Sequence, residues 1–406
     1  MVHLFVAALL IRVMVLAIPT GAPFDSENLR TGFTLGMHGY FGDPFLKERT
    51  GLSAHVAPMY PALIALVYRL THDVHITQRV LKGIFAIVSA LNVAMLIPLA
   101  RALKLPRGTG AIAGIFWLVP LFVWTELSGT HETIFATLAL LLLLTFAFSR
   151  VAPDNFTARD GALIGVVAGL AVHVSPLLLP MLAFALAPTF LSGRPWSALP
   201  RRFVTFGGAF LLTFLVVILP YTIRNHTVLG GWMLMRDNLG LELSVSNADK
   251  ARVMAEDNQQ NGGAMDSHPN ASHTESERVR TLGEVGFNKA RQQEAFTWIS
   301  ANHAAFVSLT LARLKLLLLP RAIRSYQTVF ADTIVLLFYA SLVLLWIRKR
   351  KQLAATLVAA IVGYELIYPF IQYDIRYVYP MLWVQTAGAA TFIALMLKLD
   401  AEPLPS

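Results

Sequence analysis

Residues Phe203 to Tyr221 read FVTFGGAFLLTFLVVILPY, nineteen in a row with no charged side chain. A helix that crosses a bilayer needs about 20 mainly apolar residues, and this run meets that length almost unaided. The same ruler applied along the chain finds ten spans: Val2 to Pro19, Arg79 to Ala100, Gly110 to Thr125, Glu132 to Phe148, Gly161 to Val174, Pro176 to Leu191, Phe203 to Tyr221, Val329 to Ile347, Leu353 to Pro369, and Tyr377 to Leu397. The fifth and sixth are short and meet at Ser175-Pro176. Proline cannot continue a helix, so they form either one hairpin or a broken segment.

Composition points the same way. Of 406 residues, 56% are hydrophobic and 14% charged, against roughly 45–50% and about 25% in ordinary globular chains. The 33 Lys and Arg with 24 Asp and Glu are too few to cover a water-facing surface of this size, so much of the exterior faces lipid. A soluble enzyme, a disordered chain and a coiled coil are excluded. The sequence has no cysteine, hence no disulfide framework, no thiol nucleophile and no Cys-ligated metal. The net charge of +9 lies in short clusters between apolar runs, which is the membrane pattern and not that of a nucleic-acid binder.

Those clusters set the orientation, because Lys and Arg in short loops prefer the cytoplasm. They are Arg101, Lys104 and Arg107; Arg150 and Arg159; Arg194, Arg201 and Arg202; and Arg348, Lys349, Arg350 and Lys351. With ten spans all four fall on one side together with both termini. The expected architecture is therefore one all-α polytopic membrane unit over residues 1–406, with extracytoplasmic loops at 20–78 and 222–328. Within the loops, Ala57 to Leu70 and His303 to Leu319 are apolar but interrupted by Pro58, Pro61, Arg313 and Lys315, and read as interfacial helices. Asn247 to Glu284 reads as a polar loop. A cleaved signal peptide ending near Thr20 to Ala22 is disfavoured by Arg12 and by the lack of a basic start.

Charge near hydrocarbon is costly and persists mostly where it has a task. Phe24-Asp25-Ser26-Glu27 follows the first span directly, and a carboxylate there can act as a general base toward an acceptor arriving from outside; solvation of a helix end is the alternative. Arg224, in Pro220-Tyr221-Thr222-Ile223-Arg224-Asn225-His226, has a planar fork suited to phosphate, or it anchors the interface. Arg376, in Tyr373-Asp374-Ile375-Arg376-Tyr377, suits phosphate too, or pairs with Asp374. Glu132 lines the site or caps a helix. His173 reads as a hydrogen-bonded histidine, Glu365 as cavity-facing or paired, and Arg12 as facing the bundle or snorkelling. Asn225-His226-Thr227 and Asn270-Ala271-Ser272 are sequons that arise readily by chance.

Read together, these segments carry a resemblance. Asp25-Ser26-Glu27, then Leu35-Gly36-Met37-His38-Gly39-Tyr40-Phe41-Gly42-Asp43-Pro44-Phe45, then Ala57-Pro58-Met59-Tyr60-Pro61 resemble the first outer loop of GT-C superfamily membrane glycosyltransferases, in the branch of protein O-mannosyltransferases and aminoarabinose-lipid A transferases. Pro220 to Asn225 with Asn238-Leu239-Gly240, and Arg376-Tyr377 with Pro380, resemble further elements of that branch. The resemblance implies inverting transfer of a sugar from a polyprenyl-phosphate donor to a lipid, glycan or protein acceptor on the periplasmic or external face, in a bacterial inner membrane. It implies Asp25 as base with Glu27 beside it, Arg224, Arg376 and His55 at the donor phosphate, and Tyr60, Glu132 and Asn225 as lining. The family often has Asp-Glu where this chain has Asp25-Ser26-Glu27, and a basic residue where this chain has Ala57, so the cationic role passes to His55, Arg224 or Arg376. A divalent metal is compatible, although Asp25 with Glu27 supplies at most two ligands. A secondary transporter or lipid flippase, which would show internal repeats and paired broken helices, and a noncatalytic membrane subunit are the competing classes.

Overall fold

The computed structural model describes residues 1–17, 25–118, 131–152, 155–193, 195–260, 264–319 and 325–399. Among them there is no strand, only isolated bridges such as Gly42 with Leu52 and Met254 with Tyr373. The helices are α1 (Val2–Leu16), α2 (Glu27–His38), α3 (Met59–Thr71), α4 (Val74–Ala102), α5 (Thr109–Phe116), α6 (His131–Arg150), α7 (Ala158–Val172), α8 (Leu178–Ser192), α9 (Gly208–Leu229), α10 (Leu239–Ser246), α11 (Ala255–Gln260), α12 (His273–Ala301), α13 (His303–Leu318), α14 (Ser325–Ile347), α15 (Lys351–Glu365) and α16 (Ile375–Met396). A short turn at Leu199–Arg202 and a π-helical stretch at Phe203–Gly207 lead directly into α9.

Six helical stretches among the described residues are long and apolar enough to cross a membrane: Val74–Ala102, Glu132–Arg150, Trp196–Leu229, Val329–Ile347, Lys351–Phe370 and Arg376–Met396. Helices α1, α3 and α8 are apolar but shorter. The expected ends of the first and third spans, at 18–19 and 119–125, lie outside the described residues. Two expected boundaries are corrected. The second span begins at Val74, because Asp73 caps it by accepting from Ile76 N at 2.7 Å. The seventh runs on to Leu229, so Thr222 to His226 are helical, and it stops where Gly230 turns left-handed at φ 76°.

The bundle packs through close approaches. A Cβ on Gly161 would lie 2.3 Å from Phe206 O, and one on Gly165 2.3 Å from both Phe210 O and Thr213 Oγ1. Small residues at this spacing bring two membrane helices together, and they draw α9 onto α7. Helix α8 packs instead on α15, so the fifth and sixth expected spans part company at Pro176 and do not form a hairpin. Trp117 stacks on Trp383 at 3.8 Å, with Tyr379 edge-on, in the main core. Arg12 faces the bundle: it is fully buried, bonded to Ser89 and directed at the carbonyls of Ala8 and Trp117, both at 3.4 Å.

Over one end of the bundle the two long loops fold onto each other. Phe45 of the first packs with Leu241, Val245, Val279 and Phe287 of the second in a separate apolar cluster. The stretch expected as a polar loop, Asn247 to Glu284, is instead largely helical, with α11, a 3₁₀ turn at Ala264–Ser267 and the start of α12. Ser272 and Glu275 form the capping pair of α12, with Ser272 Oγ accepting from Glu275 N at 3.2 Å. Asn258, fully buried, donates to Gln372 Oε1 at 2.7 Å. Arg313 is no interruption of an interfacial helix: it is fully buried and clamps α13 to α10 through Asn247 Oδ1, at 3.2 Å, and Ser246 O.

Candidate active site

The acids after the first helix are arranged by the residue between them. Ser26 takes an extended conformation and its Oγ accepts from Leu29 N at 3.2 Å, so it is the N-cap of α2. Asp25 therefore stands before the helix and Glu27 in its first turn, where the helix N-terminus favours negative charge. Asp25 is 43% exposed and its Oδ2 meets Arg30 Nη1 at 2.5 Å; its Oδ1 has no hydrogen-bond partner among the described residues. Arg30 also donates to Pro44 O at 2.7 Å and to Asn270 Oδ1 at 3.0 Å. Asn270 completes the loop-to-loop clasp, donating from Nδ2 to Glu27 Oε1 at 2.7 Å and accepting from Leu46 N at 3.0 Å.

Glu27 is held from both loops. His55 Nε2 lies 3.2 Å from Glu27 Oε2, and His268 Nε2 lies 3.8 Å from Glu27 Oε1. Burial by itself raises the Glu27 carboxyl, but the charge and hydrogen bond of His55, with His268 and Arg30 behind it, outweigh burial and hold it below the carboxylate range. The mirror balance applies to His55. Burial disfavours its imidazolium, and Glu27, backed by Glu284, reverses this and raises its pKa. His268 loses the same contest, and burial drives it down to about 4. Its Nδ1 accepts from Asn270 N at 3.0 Å, so the neutral ring carries its proton on Nε2, facing Glu27.

Across from this pair stands a second set of charges. Asp374 caps α16, accepting from Arg376 N at 2.9 Å, and binds the same residue's Nη2 at 2.8 Å. Arg376 Nη1 reaches Glu132 Oε1 at 3.4 Å, so the ion pair expected as one alternative forms and Glu132 joins it. Arg236 donates from Nε to His55 O at 3.0 Å and makes no further hydrogen bond among the described residues. Glu242, raised chiefly by burial, feels the charges of Glu27, His55, Arg236 and Arg376 together. These four groups thus lie near enough to Glu242 to bear on its charge. Arg236 and Glu242 escaped the sequence reading. The only signal was their position on either side of Asn238-Leu239-Gly240.

Three expected site residues do other work. Arg224 spends its fork on main-chain carbonyls of the first loop, Ser53 O at 2.8 Å and Phe41 O at 3.1 Å, and on Asn225 Oδ1 at 3.0 Å. Its Nη1 and Nη2 thus meet acceptors within the protein, as do the three side-chain nitrogens of Arg376, on Asp374 and Glu132. Asn225 is fully buried and donates to Met233 O at 3.3 Å. Tyr60 is buried between Phe85 and Phe135, with no hydrogen-bond partner for its hydroxyl among the described residues. Neither sequon presents a free amide. His173 bonds Gly169 O at 2.7 Å, and Glu365 is buried with Oε1 unpartnered among the described residues. Among the described residues no three carboxylate or imidazole groups are disposed to hold a metal ion.

No family model matches the sequence, and no curated protein is significantly similar to it. Two solved structures share the fold. One is the archaeal oligosaccharyltransferase AglB from Archaeoglobus fulgidus, in complex with an inhibitory peptide and a dolichol-phosphate, at TM-score 0.55 and 14% identity over 98% of this chain and 50% of that one. The other is an Archaeoglobus fulgidus oligosaccharyltransferase complex with Zn and sulfate, at TM-score 0.55 and 15% identity over 98% and 49%. This chain spans about half the length of either. At such identity the likeness is one of fold, and it agrees in architecture with the GT-C resemblance of the loop segments.

Proposed function

We propose that this chain is a GT-C glycosyltransferase that moves a sugar from a polyprenyl-phosphate donor to an acceptor at the extracytoplasmic end of the bundle, with inversion. The observation that carries the reading is Asp25, an accessible carboxylate whose Oδ1 has no hydrogen-bond partner among the described residues, next in sequence to Glu27, which together with Arg236 and Arg376 acts on the charge of Glu242. The acceptor hydroxyl attacks the anomeric carbon and Asp25 Oδ1 takes its proton. The bond from that carbon to the phosphate oxygen breaks, and the polyprenyl phosphate leaves with the electron pair. Arg376 and Arg236 neutralise the charge growing on the leaving oxygen, an effect that is strong where water is partly excluded. Glu27 is a poor base, since both its oxygens have partners and its proton affinity is cut by His55; the pair fixes the loop and lends the positive imidazolium to the site.

Single-turnover transfer from a polyprenyl-phosphate sugar tests this. Asp25→Asn keeps the size and loses the base, so the rate falls by about 10²- to 10⁴-fold with donor binding intact. Normal transfer by Asp25→Asn would reject Asp25 as the base.

A further inference from the structure

Helix α12 is broken at Gly283, where φ is 69° and ψ 160°, a region of backbone space that glycine alone enters readily. A Cβ there would meet nothing within 4 Å, so the position needs glycine for its conformation and not for room. Beyond the break, Glu284 and Asn288 stand four apart and so on one face, and both are buried. Asn288 donates to Asp237 O at 2.8 Å and accepts from Leu241 N at 3.1 Å. Glu284 reaches into the first loop, accepting from Ala54 N at 2.6 Å and from the Ser53 hydroxyl. Ser53 Oγ in turn accepts from His55 N at 2.9 Å. One chain of hydrogen bonds therefore runs from a carboxylate of the second loop to the backbone of His55.

His55 is 1% exposed, with the Phe45 ring edge-on at 4.8 Å, and a charge in such a place persists only if it is compensated. The groups that bear on it are Glu27 of α2, Arg236 and Asp237 between α9 and α10, Glu242 of α10, His268 after the 3₁₀ turn, and Glu284 of α12. His268 is neutral and Arg236 opposes the imidazolium, so the acids must hold it. Asp237 and Glu284 compete for one proton. Burial raises Glu284, but His55 and the bonds from Ser53 and Ala54 N oppose that rise, since hydrogen bonds to a carboxylate favour its charged form. Asp237 Oδ2 is buried without a partner among the described residues, and burial with Glu284 raises this acid to about 7. The proton goes to Asp237 and the negative charge stays on Glu284. We propose that Glu284 is a positioning residue: from the second loop it seats His55 against Glu27 and keeps the imidazolium charged through neutral pH. The use of that charge rests on the transfer proposed above; its presence does not, and can be read at His55 directly.

The full-length protein, its 11 histidines labelled with carbon-13 in the ring, is titrated in detergent by NMR, and the His55 signal is identified by its loss in His55→Gln. The wild-type midpoint is expected above 6.5. Glu284→Gln keeps an acceptor for Ala54 N and can donate to Ser53 Oγ, and the midpoint should fall by about 1 pH unit, the low end of the effect of one nearby opposite charge. Loss of the Glu284 charge also lets Asp237 ionise more readily, which offsets part of that fall, so Glu284→Gln/Asp237→Asn should go lower still. Ser53→Ala breaks the chain to His55 N but keeps the carboxylate, and should move the midpoint less than half as far as Glu284→Gln. A wild-type midpoint at or below 6.5, a reading that needs no variant to fold, overturns the proposal. So does an unchanged midpoint in the double variant, or a fall in Ser53→Ala as large as in Glu284→Gln, which would leave Glu284 a purely structural tie. The expected midpoints in a protein that transfers no sugar would uphold the role of Glu284 and count against the transfer mechanism instead.

Discussion

Replacing Glu27 with Gln separates the charge of the Glu27–His55 pair from its shape. Gln keeps the acceptor for Asn270 Nδ2, which lies at 2.7 Å, and turns an amide toward the imidazole at 3.2 Å. A neutral His55 can accept from that amide, and its Nδ1, buried with no hydrogen-bond partner among the described residues, is equally unpartnered in wild type and variant. What is lost is the difference between a charge-assisted and a neutral hydrogen bond, about 1–2 kcal/mol. The sign with pH is the sharper readout. In the wild type the pKa of His55 is raised above 6.5, so its contribution is fully present below 6.5 and is lost as pH rises through the folded value. Without Glu27 the buried ring resists protonation, and acidification costs stability. Glu27 itself is ionised throughout that range and adds no slope. The deficit of Glu27→Gln relative to wild type should therefore be largest near pH 6 and shrink toward pH 8.5. Tryptophan-fluorescence melts of the detergent-solubilised proteins, compared pH by pH, measure it. A deficit that stays constant with pH, or grows on alkalisation, would refute the charged pair.

Three further outcomes are expected. Arg224→Ala strands the Ser53 and Phe41 carbonyls, which lie 2.8 and 3.1 Å from its donors, and should cost about 1–3 kcal/mol while leaving donor KM unchanged; a raised KM in a protein of normal Tm would return Arg224 to the phosphate. Gly165→Leu drives a Cβ to 2.3 Å from Phe210 O and should destabilise by about 1–3 kcal/mol or more through overpacking, read as loss of folded protein on heating in detergent; wild-type stability would show that α7 and α9 are not so close. Asp237 is raised from 3.8 to about 7, by burial and then by Glu284. A raised acid binds more protons folded than unfolded between those values, so it lowers stability as pH rises from about 4 to 7, and Asp237→Asn should flatten that part of the melting profile.

The bundle was legible because lipid imposes one demand, an unbroken apolar run, that composition alone can meet. The sequence ruler ends one span at Ile347, where α14 ends, and starts another at Tyr377, two residues inside α16. In the outer layer only the apolar helices were legible: those expected at Ala57 to Leu70 and His303 to Leu319 appear as α3 and α13, whereas α2, α11 and α12 are polar and held by tertiary partners that no periodicity encodes. Asn258 and Glu284 fall in the stretch that read as a polar loop and Arg313 in a helix that read as interfacial, and all three are buried. Ser272-x-x-Glu275 and Asp73 were capping signals in plain view. Among candidate-site residues, Asp25, Glu27, His55, Glu132 and Arg376 stood out because each is a charge, or a basic group, beside an apolar run or a loop motif. Arg236 and Glu242 lie among other polar residues, where a single charge is uninformative until the fold brings it to Glu27 and Arg376.

A site assembled from loops needs rigidity from somewhere, and here it comes from polar ties across chain segments distant in sequence. The first loop has no helix between His38 and Met59, yet its carbonyls at Phe41, Ser53, Ala54 and His55 accept from Arg224, Asp237 N and Arg236. Glu284 adds a bond from Ala54 N at 2.6 Å and one from Ser53. Each tie is to a charged group or to main chain anchored by α9 or α12, so the loop inherits the position of those helices. Glu27 draws its partners from His55 in the first loop and from His268 and Asn270 in the second, and Asp25 shares Arg30 with Asn270. Displacing either loop would break hydrogen bonds at both carboxylates at once. The placement of Asp25 and Glu27 is thus set by the joint fold of both loops, and on the proposed mechanism a change at Arg224 or Glu284 alters transfer without touching a substrate.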